Sequence, residues 1–360
     1  MRGFWNIQRI DFVLLASTLL LSGLGILVIR SATAGGRFAA YPGRQAYWLV
    51  IALVAYFIGY FIDRRHLYRG AYSFYWVMFA VLVWLAVAGK WIGGVHRWVY
   101  AGGLTFQPSE LAKLALILAL ASYFGSRKTA PPYGLEEILL PLLMIGGFAI
   151  PVALQPDLGT AMFLVLISGF VILFVGVKWS TIIVLVCGAA AAAPSLFFTL
   201  KDYQRDRILN FLSPGRDPLG TGYHVVQSKI AIGSGGLLGK GFLQGTQSQL
   251  RFIPEQHTDF IVSVLAEELG FAGVVLMLGL IMFISLYLLS YIEFTKTRFS
   301  LIVVVGITAA FAFQSAINIA MAAGVLPVVG LPLPLMSYGG SSLVSTFLGF
   351  GIIAGYKRRR

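Results

Sequence analysis

Apolar runs long enough to cross a lipid bilayer recur along almost the whole of this 360-residue chain. A spanning helix needs about 20 apolar residues, and by that measure the chain holds roughly ten. They fall near Phe12–Ile29, Ala46–Ile62, Ser73–Ala88, Ser109–Phe124, Ile138–Leu154, Thr160–Gly176, Ser180–Thr199, Phe260–Ser290, Ser300–Ala323 and Ser341–Gly355. No soluble core of this size needs so many. The expected fold is an all-α, multi-span membrane protein. It forms one integral domain over residues 1–360, with one large outer loop at 200–258 between the seventh and eighth spans. Composition agrees: 58% of residues are hydrophobic and 11% are charged, far from the soluble average. The first run is too long for a signal-peptide core and lacks a convincing cleavage site, so it reads as a retained span. The lone Cys187 excludes an internal disulfide and most thiolate metal sites.

An even number of spans puts both ends of the chain on one side. The loops on that side hold Arg2, Arg9, Arg64, Arg65, Arg69, Arg127, Lys128, Lys178, Lys296, Arg298 and the tail Lys357–Arg360. The short loops opposite hold Arg30, Arg37, Arg44, Lys90 and Arg97. The positive-inside rule then places both termini in the cytoplasm and the 200–258 loop outside. The net charge of +13 is spread among membrane loops, with no soluble face to carry nucleic acid. Anionic phospholipid or a pyrophosphate-bearing substrate accounts for it better.

This topology gathers scattered charges on the outer side. Glu110 and Lys113 open the fourth span, three apart and able to pair. Arg97 and Trp98 lie in the loop before it, and Asp157 lies in the turn between spans five and six. Asp259 stands where the polar stretch RFIPEQHTDF runs into the eighth span, with Glu267 and Glu268 about two turns deeper. Asp259, Ser263 and Glu267, four apart, are expected to line one stripe of a helix. Acids placed so are costly to ionise unless something binds them. Each also has a plain structural reading: an ion pair for Glu110 and Lys113, a helix cap for Asp157, an interfacial belt residue for Trp98, backbone-bonded supports for Glu267 and Glu268. His257 reads as a hydrogen-bonding support, and no HExxH or comparable ligand spacing occurs.

The 200–258 loop opens on KDYQRDR and turns at SPGRDP. It continues through YHVVQSKIAI, which suits a short interfacial helix, into GSGGLLGKGF. That glycine-rich stretch matches neither a Walker A loop nor GxGxxG. Its glycines supply tight turns or backbone amides near an anion. A second irregular outer stretch, LPVVGLPLPLMSYGGSS, holds three prolines and must be buried in protein or line a cavity. Carboxylates alternating with Arg and Lys suit a substrate carrying both hydroxyls and phosphate. A carboxylate takes a proton from an attacking hydroxyl, and cations stabilise a departing pyrophosphate. The residues alone thus point to transfer from a lipid-linked phosphate donor.

The stretches GVHRWV with FQPSELAKL, LQPDLGTA, QSKIAIGSGG with GTQSQLRFIPEQHTDF, AEELG and LPLPLMSYGGSS together resemble the SEDS (shape, elongation, division and sporulation) family, over nearly the whole chain. QSKIAIGSGG and GTQSQL are more similar to its elongation (RodA) branch than to its division (FtsW) branch. The resemblance implies a peptidoglycan glycosyltransferase that polymerises lipid II into β-1,4-linked glycan at the outer face of the cytoplasmic membrane, in cell elongation and shape maintenance. It implies a class B penicillin-binding protein and the elongation machinery as partners, with lipid II and undecaprenyl-linked glycan as ligands. The family's essential acid falls on Asp259; its other motif residues fall on Glu110, Lys113, Trp98 and Asp157. Pyrophosphate would be neutralised by basic residues of the outer loop, such as Lys229 and Lys240, or by a divalent cation, Mg or Mn; no metal ligands are assigned. Two other functions remain open from the residues: a lipid II flippase, and a non-catalytic scaffold for a penicillin-binding protein. A flippase needs sites reachable from both faces, whereas the polar residues here concentrate outside.

Overall fold

The computed structural model describes residues 11–35, 38–88, 97–101, 104–199, 204, 205, 209 and 221–358. Arg2, Arg9, Arg37, Lys90, Arg359, Arg360, the Gly94–His96 part of GVHRWV, most of KDYQRDR and the SPGRDP turn lie outside the described residues.

The expected runs are helices. The chain forms α1 (Phe12–Ala32), α2 (Tyr41–Phe61), α3 (Arg64–Ala88), a hairpin of β1 (Val99–Ala101) and β2 (Leu104–Phe106), α4 (Pro108–Ser126), α5 (Leu135–Leu154), α6 (Leu158–Val175) and α7 (Trp179–Thr199). Two shorter outer helices follow, α8 (Thr221–Ser234) and α9 (Thr246–Gln249). Then come α10 (Ile261–Ser290), α11 (Arg298–Ala322) and α12 (Gly340–Arg358). Among the described residues, eight helices are long and apolar enough to cross a membrane. The two other expected spans coincide with α7, whose apolar part runs Trp179–Ser195, and α12. The stretch YHVVQSKIAI is helical, as expected, within α8.

Helix α4 sits at the centre, buried along nearly its full length. The closing helix α12 packs along α2 through glycine. A Cβ on Gly351 would lie 2.0 Å from the Tyr56 carbonyl oxygen, and one on Gly59 would lie 2.5 Å from that of Leu348. Gly351 and Gly355 are four apart, the small-residue spacing that lets membrane helices touch backbone to backbone.

The first and last described segments of the chain meet on one face. Asp11 caps α1 through the Leu14 N–H and accepts from Lys357 Nζ at 2.6 Å and from the hydroxyls of Tyr287 and Tyr291. Loops assigned to this side also meet: Arg298 donates to the Tyr133 hydroxyl at 2.9 Å, and Tyr133 bridges to Val177. Asp11 and Lys357 therefore lie on one face of the helix bundle.

Helix α10 is 30 residues long, about 45 Å at 1.5 Å per residue, too long for one unbroken crossing. It breaks at Gly270, where φ is 64° and ψ is −162°. The glycine-rich stretch fills the break. The N–H groups of Lys240 and Gly241 donate to Glu267 O and Glu268 O, and those of Phe271 and Ala272 donate to Gly236 O and Leu237 O. The glycines thus serve as close-packing turns. A Cβ on Gly235 would lie 1.9 Å from the Ala266 carbonyl oxygen, and every backbone group freed by the kink needs a partner there.

Candidate active site

The face opposite the chain ends holds a cavity of about 700 Å³. Four helices, α4, α6, α10 and α12, begin beside it, so residues in their first turns, or just before the start of α10, reach it. Arg97, Trp98, Glu110, Asp157 and Asp259 all line it.

Local structure explains each placement. The hairpin pairs Val99 with Phe106, which sets Trp98 and Gln107 side by side at its base. Gln107 Nε2 donates to Asp157 Oδ2 at 2.9 Å, and Arg97 stands 3.7 Å from Asp157 Oδ1. Asp157 also caps α6 by accepting from the Thr160 N–H at 3.3 Å, so its structural and cavity-lining roles coincide. Its burial raises its pKa, against the pull of the Arg97 guanidinium. Arg97 in turn lies over the Trp98 ring at 5.9 Å.

Glu110, in the first turn of α4, accepts from Lys113 Nζ at 2.7 Å. Lys113 reaches on to Gln314 Oε1 at 2.7 Å, and Gln314 Nε2 donates to Pro332 O at 2.9 Å. The pair thus ties α4 to α11 and to the proline-rich stretch. Lys113 stands behind Glu110 rather than on the cavity wall.

Asp259 lies two residues before α10 in a turn, where its N–H donates to Glu255 O at 3.1 Å. Asn318 Nδ2 holds its carbonyl at 3.1 Å and that of Leu331 at 2.7 Å. Ser337 Oγ donates to Thr258 O, and the Tyr338 N–H donates to His257 O at 2.9 Å. The proline-rich stretch is thereby laced to the Asp259 turn. Gly330 faces the acid: a Cβ there would lie 3.7 Å from Asp259 Oδ2. The stretch lines a cavity, as its composition required.

Other expected residues stand elsewhere. The stripe of Asp259, Ser263 and Glu267 does not form, because the helix begins only at Ile261 and Asp259 precedes it. Ser263 instead bonds Ser228 of α8 at 2.6 Å. Glu267 is fully buried in a separate cluster: Lys240 Nζ donates to it at 2.7 Å, and the N–H groups of Gln247 and Ser248 at the start of α9 donate at 2.8 and 3.1 Å. Glu268 accepts from the Ser31 hydroxyl. Lys229 is exposed on α8 beside Gly324. His257 packs among Phe38, Tyr41 and Tyr338, and supports the cavity wall through its backbone. Lys240 and Lys229 therefore do not face the cavity. Gln107, Ser341 and Ser342, which sequence reasoning passed over, do line it.

Among the described residues no three His, Cys, Asp or Glu side chains converge as metal ligands.

A family model described as a cell cycle protein, FtsW/RodA/SpoVE, matches residues 11–360. The chain belongs to this family, the SEDS family. It is 42% identical over 355 residues to the peptidoglycan glycosyltransferase MrdB of Escherichia coli K12, covering 98% of this chain and 94% of that protein. It is 38% identical over 317 residues to MrdB of Helicobacter pylori, covering 86% and 81%. Among solved structures, it is similar to the rod shape determining protein RodA of Thermus thermophilus, with a TM-score of 0.72, 31% identity and coverage of 98% and 97%. It is also similar to a chain of a peptidoglycan synthase complex described as coordinating polymerization and crosslinking, with a TM-score of 0.82, 36% identity and 99% of each chain covered. Membership fits a membrane protein of the SEDS type along its full described length.

Proposed function

We propose that this SEDS protein is a peptidoglycan glycosyltransferase that polymerises lipid II into β-1,4-linked glycan during cell elongation and shape maintenance. The observation that carries the reading is Asp259 on the wall of an outer-face cavity, beside the Glu110–Lys113 and Asp157–Arg97 pairs. The positive-inside pattern puts the face bearing Asp11 and Lys357 in the cytoplasm and the cavity on the outer side of the cytoplasmic membrane. The cavity's volume lies in the range that holds a small ligand, which suits sugar head groups. Met162, Val328 and Val329 form an apolar wall, and polyprenyl tails lie along that side toward lipid.

Asp259 acts as general base on the 4-hydroxyl of the acceptor GlcNAc. As the proton passes to the carboxylate, the oxygen forms a bond to C1 of the lipid-linked MurNAc. The bond from C1 to the pyrophosphate oxygen breaks, and undecaprenyl pyrophosphate leaves with the electron pair. Attack opposite the leaving group inverts α to β, as a single base permits in inverting glycosidases. The hydrogen bonds from Asn318 and Ser337 fix the Asp259 turn, so the base is held in place before substrate arrives. A class B penicillin-binding protein is the partner that crosslinks the product, as the likeness to a complex coordinating both activities supports.

The test is polymerisation by the purified full chain in detergent with lipid II as sole substrate. A glycan ladder is expected, with no membrane to cross. A flippase or scaffold yields none, and that result rejects the proposal.

A further inference from the structure

The segment that ends in Asp259 brings a second carboxylate to the cavity wall. Glu255 and Asp259 bound one turn, in which the N–H groups of Thr258 and Asp259 both donate to Glu255 O, at 3.0 and 3.1 Å. Thr258 Oγ1 donates to the same carbonyl at 3.1 Å. Glu255, Thr258 and Asp259 all line the cavity. The transfer step uses Asp259 as its base and leaves Glu255 without a role.

Two observations single Glu255 out. The first is exposure. Its side chain is 65% exposed, whereas Glu110, Asp157 and Glu267 are at most 3% exposed and are bonded inside the chain. Among the described residues, the Glu255 carboxylate meets the Thr258 hydroxyl at 3.3 Å and His257 Nε2 at 3.7 Å. Contacts this long, made by a carboxylate largely in water, add little to stability.

The second is backbone conformation. Glu255 has a φ of 49°, in the left-handed region that suits glycine and disfavours a residue with a Cβ. Among the described non-glycine residues with positive φ, Pro156 and Glu255 line the cavity, and of the two Glu255 has the polar side chain. The bonds that close the turn end on the Glu255 carbonyl, which glycine also possesses. Glycine would therefore build the same turn with less strain. A side chain held in a cavity against the preference of its own backbone, and not needed to close the turn, points to a ligand.

The neighbouring base indicates which ligand. An ionised carboxylate accepts hydrogen bonds and donates none, so it suits a group rich in hydroxyls. The acceptor GlcNAc presents its 4-hydroxyl to Asp259, and further hydroxyls flank that position on C3 and C6. One contact leaves the ring free to turn about it; a second fixes its orientation, which the transfer step requires. We propose that Glu255 binds the acceptor saccharide, its carboxylate accepting from the 3- or the 6-hydroxyl of GlcNAc and so directing the 4-hydroxyl to Asp259. The inference rests on the glycosyl-transfer reading above.

The test compares the purified full chain with its Glu255→Gly and Glu255→Gln variants in detergent, by initial rates of lipid II polymerisation and by melting curves. Glu255→Gly should melt at or above the wild-type temperature, because glycine relieves the left-handed φ. Its kcat/KM should nevertheless fall about tenfold, the loss expected for one hydrogen bond to a charged group. Glu255→Gln keeps an acceptor oxygen without the charge and should fall less. Lipid II made with GlcNAc lacking the 3-hydroxyl or the 6-hydroxyl then identifies the contact. One of the two should slow the wild-type chain, yet cause no further loss with Glu255→Gly, since both changes remove the same bond. Wild-type rates from Glu255→Gly overturn the inference. A rate that falls only in step with melting temperature also overturns it, by marking Glu255 as structural, as do losses from both deoxy substrates that add in full to the loss from the variant. The two proposals fail separately: a wild-type chain that makes no glycan sinks the transferase reading, whereas an active chain indifferent to Glu255→Gly sinks only this contact.

Discussion

Asp259 and Glu267 lie close in sequence, but their surroundings differ in kind. Glu267 is fully buried and its oxygens are taken up within the chain by Lys240 and by two N–H groups at the start of α9. Asp259 is half-buried, lines a cavity of about 700 Å³, and has its backbone carbonyl held by Asn318. Asp11, on the far face, follows the Glu267 pattern, with donors from Lys357, Tyr287, Tyr291 and the Leu14 N–H. The contrast separates acids that hold the fold from an acid that faces the cavity. Burial alone would have ranked Glu267 above Asp259 as a functional candidate; unoccupied space in front of the carboxylate reverses that order.

The sharpest way to break the comparison is to exchange the consequences. Asp259→Asn should lower lipid II polymerisation by at least about a hundredfold, the lower range for loss of a general base, while thermal stability stays near wild type. Glu267→Ala should do the converse. It strands Lys240 and two N–H groups, and loss of one partner of a buried pair costs roughly 3 kcal/mol. Activity per folded molecule should be retained. Polymer gels and melting curves on both variants check this, and a Glu267→Ala protein that is stable but inactive would put Glu267 with the substrate-facing acids.

Much of this contrast was legible in the chain, because charge stands out against so apolar a background. The ten runs became helices, eight of them long and apolar enough to cross a membrane among the described residues, and the expected topology grouped Arg97, Trp98, Glu110, Asp157 and Asp259 on one face. The Asp259–Glu267 stripe failed for a local reason. A period-four argument assumes an unbroken helix, and α10 begins after Asp259. The hairpin at Val99–Phe106 escaped notice because strands of three residues leave no periodic signal. Gln107, Asn318 and Ser342 were missed because neutral polar residues carry no such contrast. For Gln107 and Asn318 the importance lies in partners far away in sequence, Asp157 and Asp259.

Acid titration sharpens the comparison at groups that serve the fold. Burial pushes the His257 imidazole below its ordinary value, against the raising pull of Glu255. The unfolded chain therefore takes up this proton more readily than the folded one. The stability it contributes is present above about pH 6.5 and is lost as pH falls through the depressed folded value. Burial alone would raise Asp11, but hydrogen bonds from Lys357, Tyr291, Tyr287 and Leu14 outweigh it and the net shift is downward. Its contribution is present above the ordinary carboxylate range near 4 and fades below it. Melting temperature should therefore fall in two acid steps, and His257→Asn should flatten the upper one while leaving the lower. A single step unaffected by His257→Asn would show that the imidazole does not couple to folding.

The smallest effect should come from the Asp11 knot. Tyr287→Phe removes one donor, bonded to both Asp11 oxygens at 2.8 and 2.9 Å. Tyr291, Lys357 and the Leu14 N–H remain to satisfy the carboxylate. The loss should be about 1 kcal/mol, the net worth of one hydrogen bond, seen as a slight drop in melting temperature. Polymerisation should not change, because the knot joins the start of α1 to the end of α12, a full helix length from Ser342. A large fall in activity with little change in stability would mean that strain at the chain ends travels along α12 to its first turn, and the division between fold-holding and substrate-facing acids would then fail at this site.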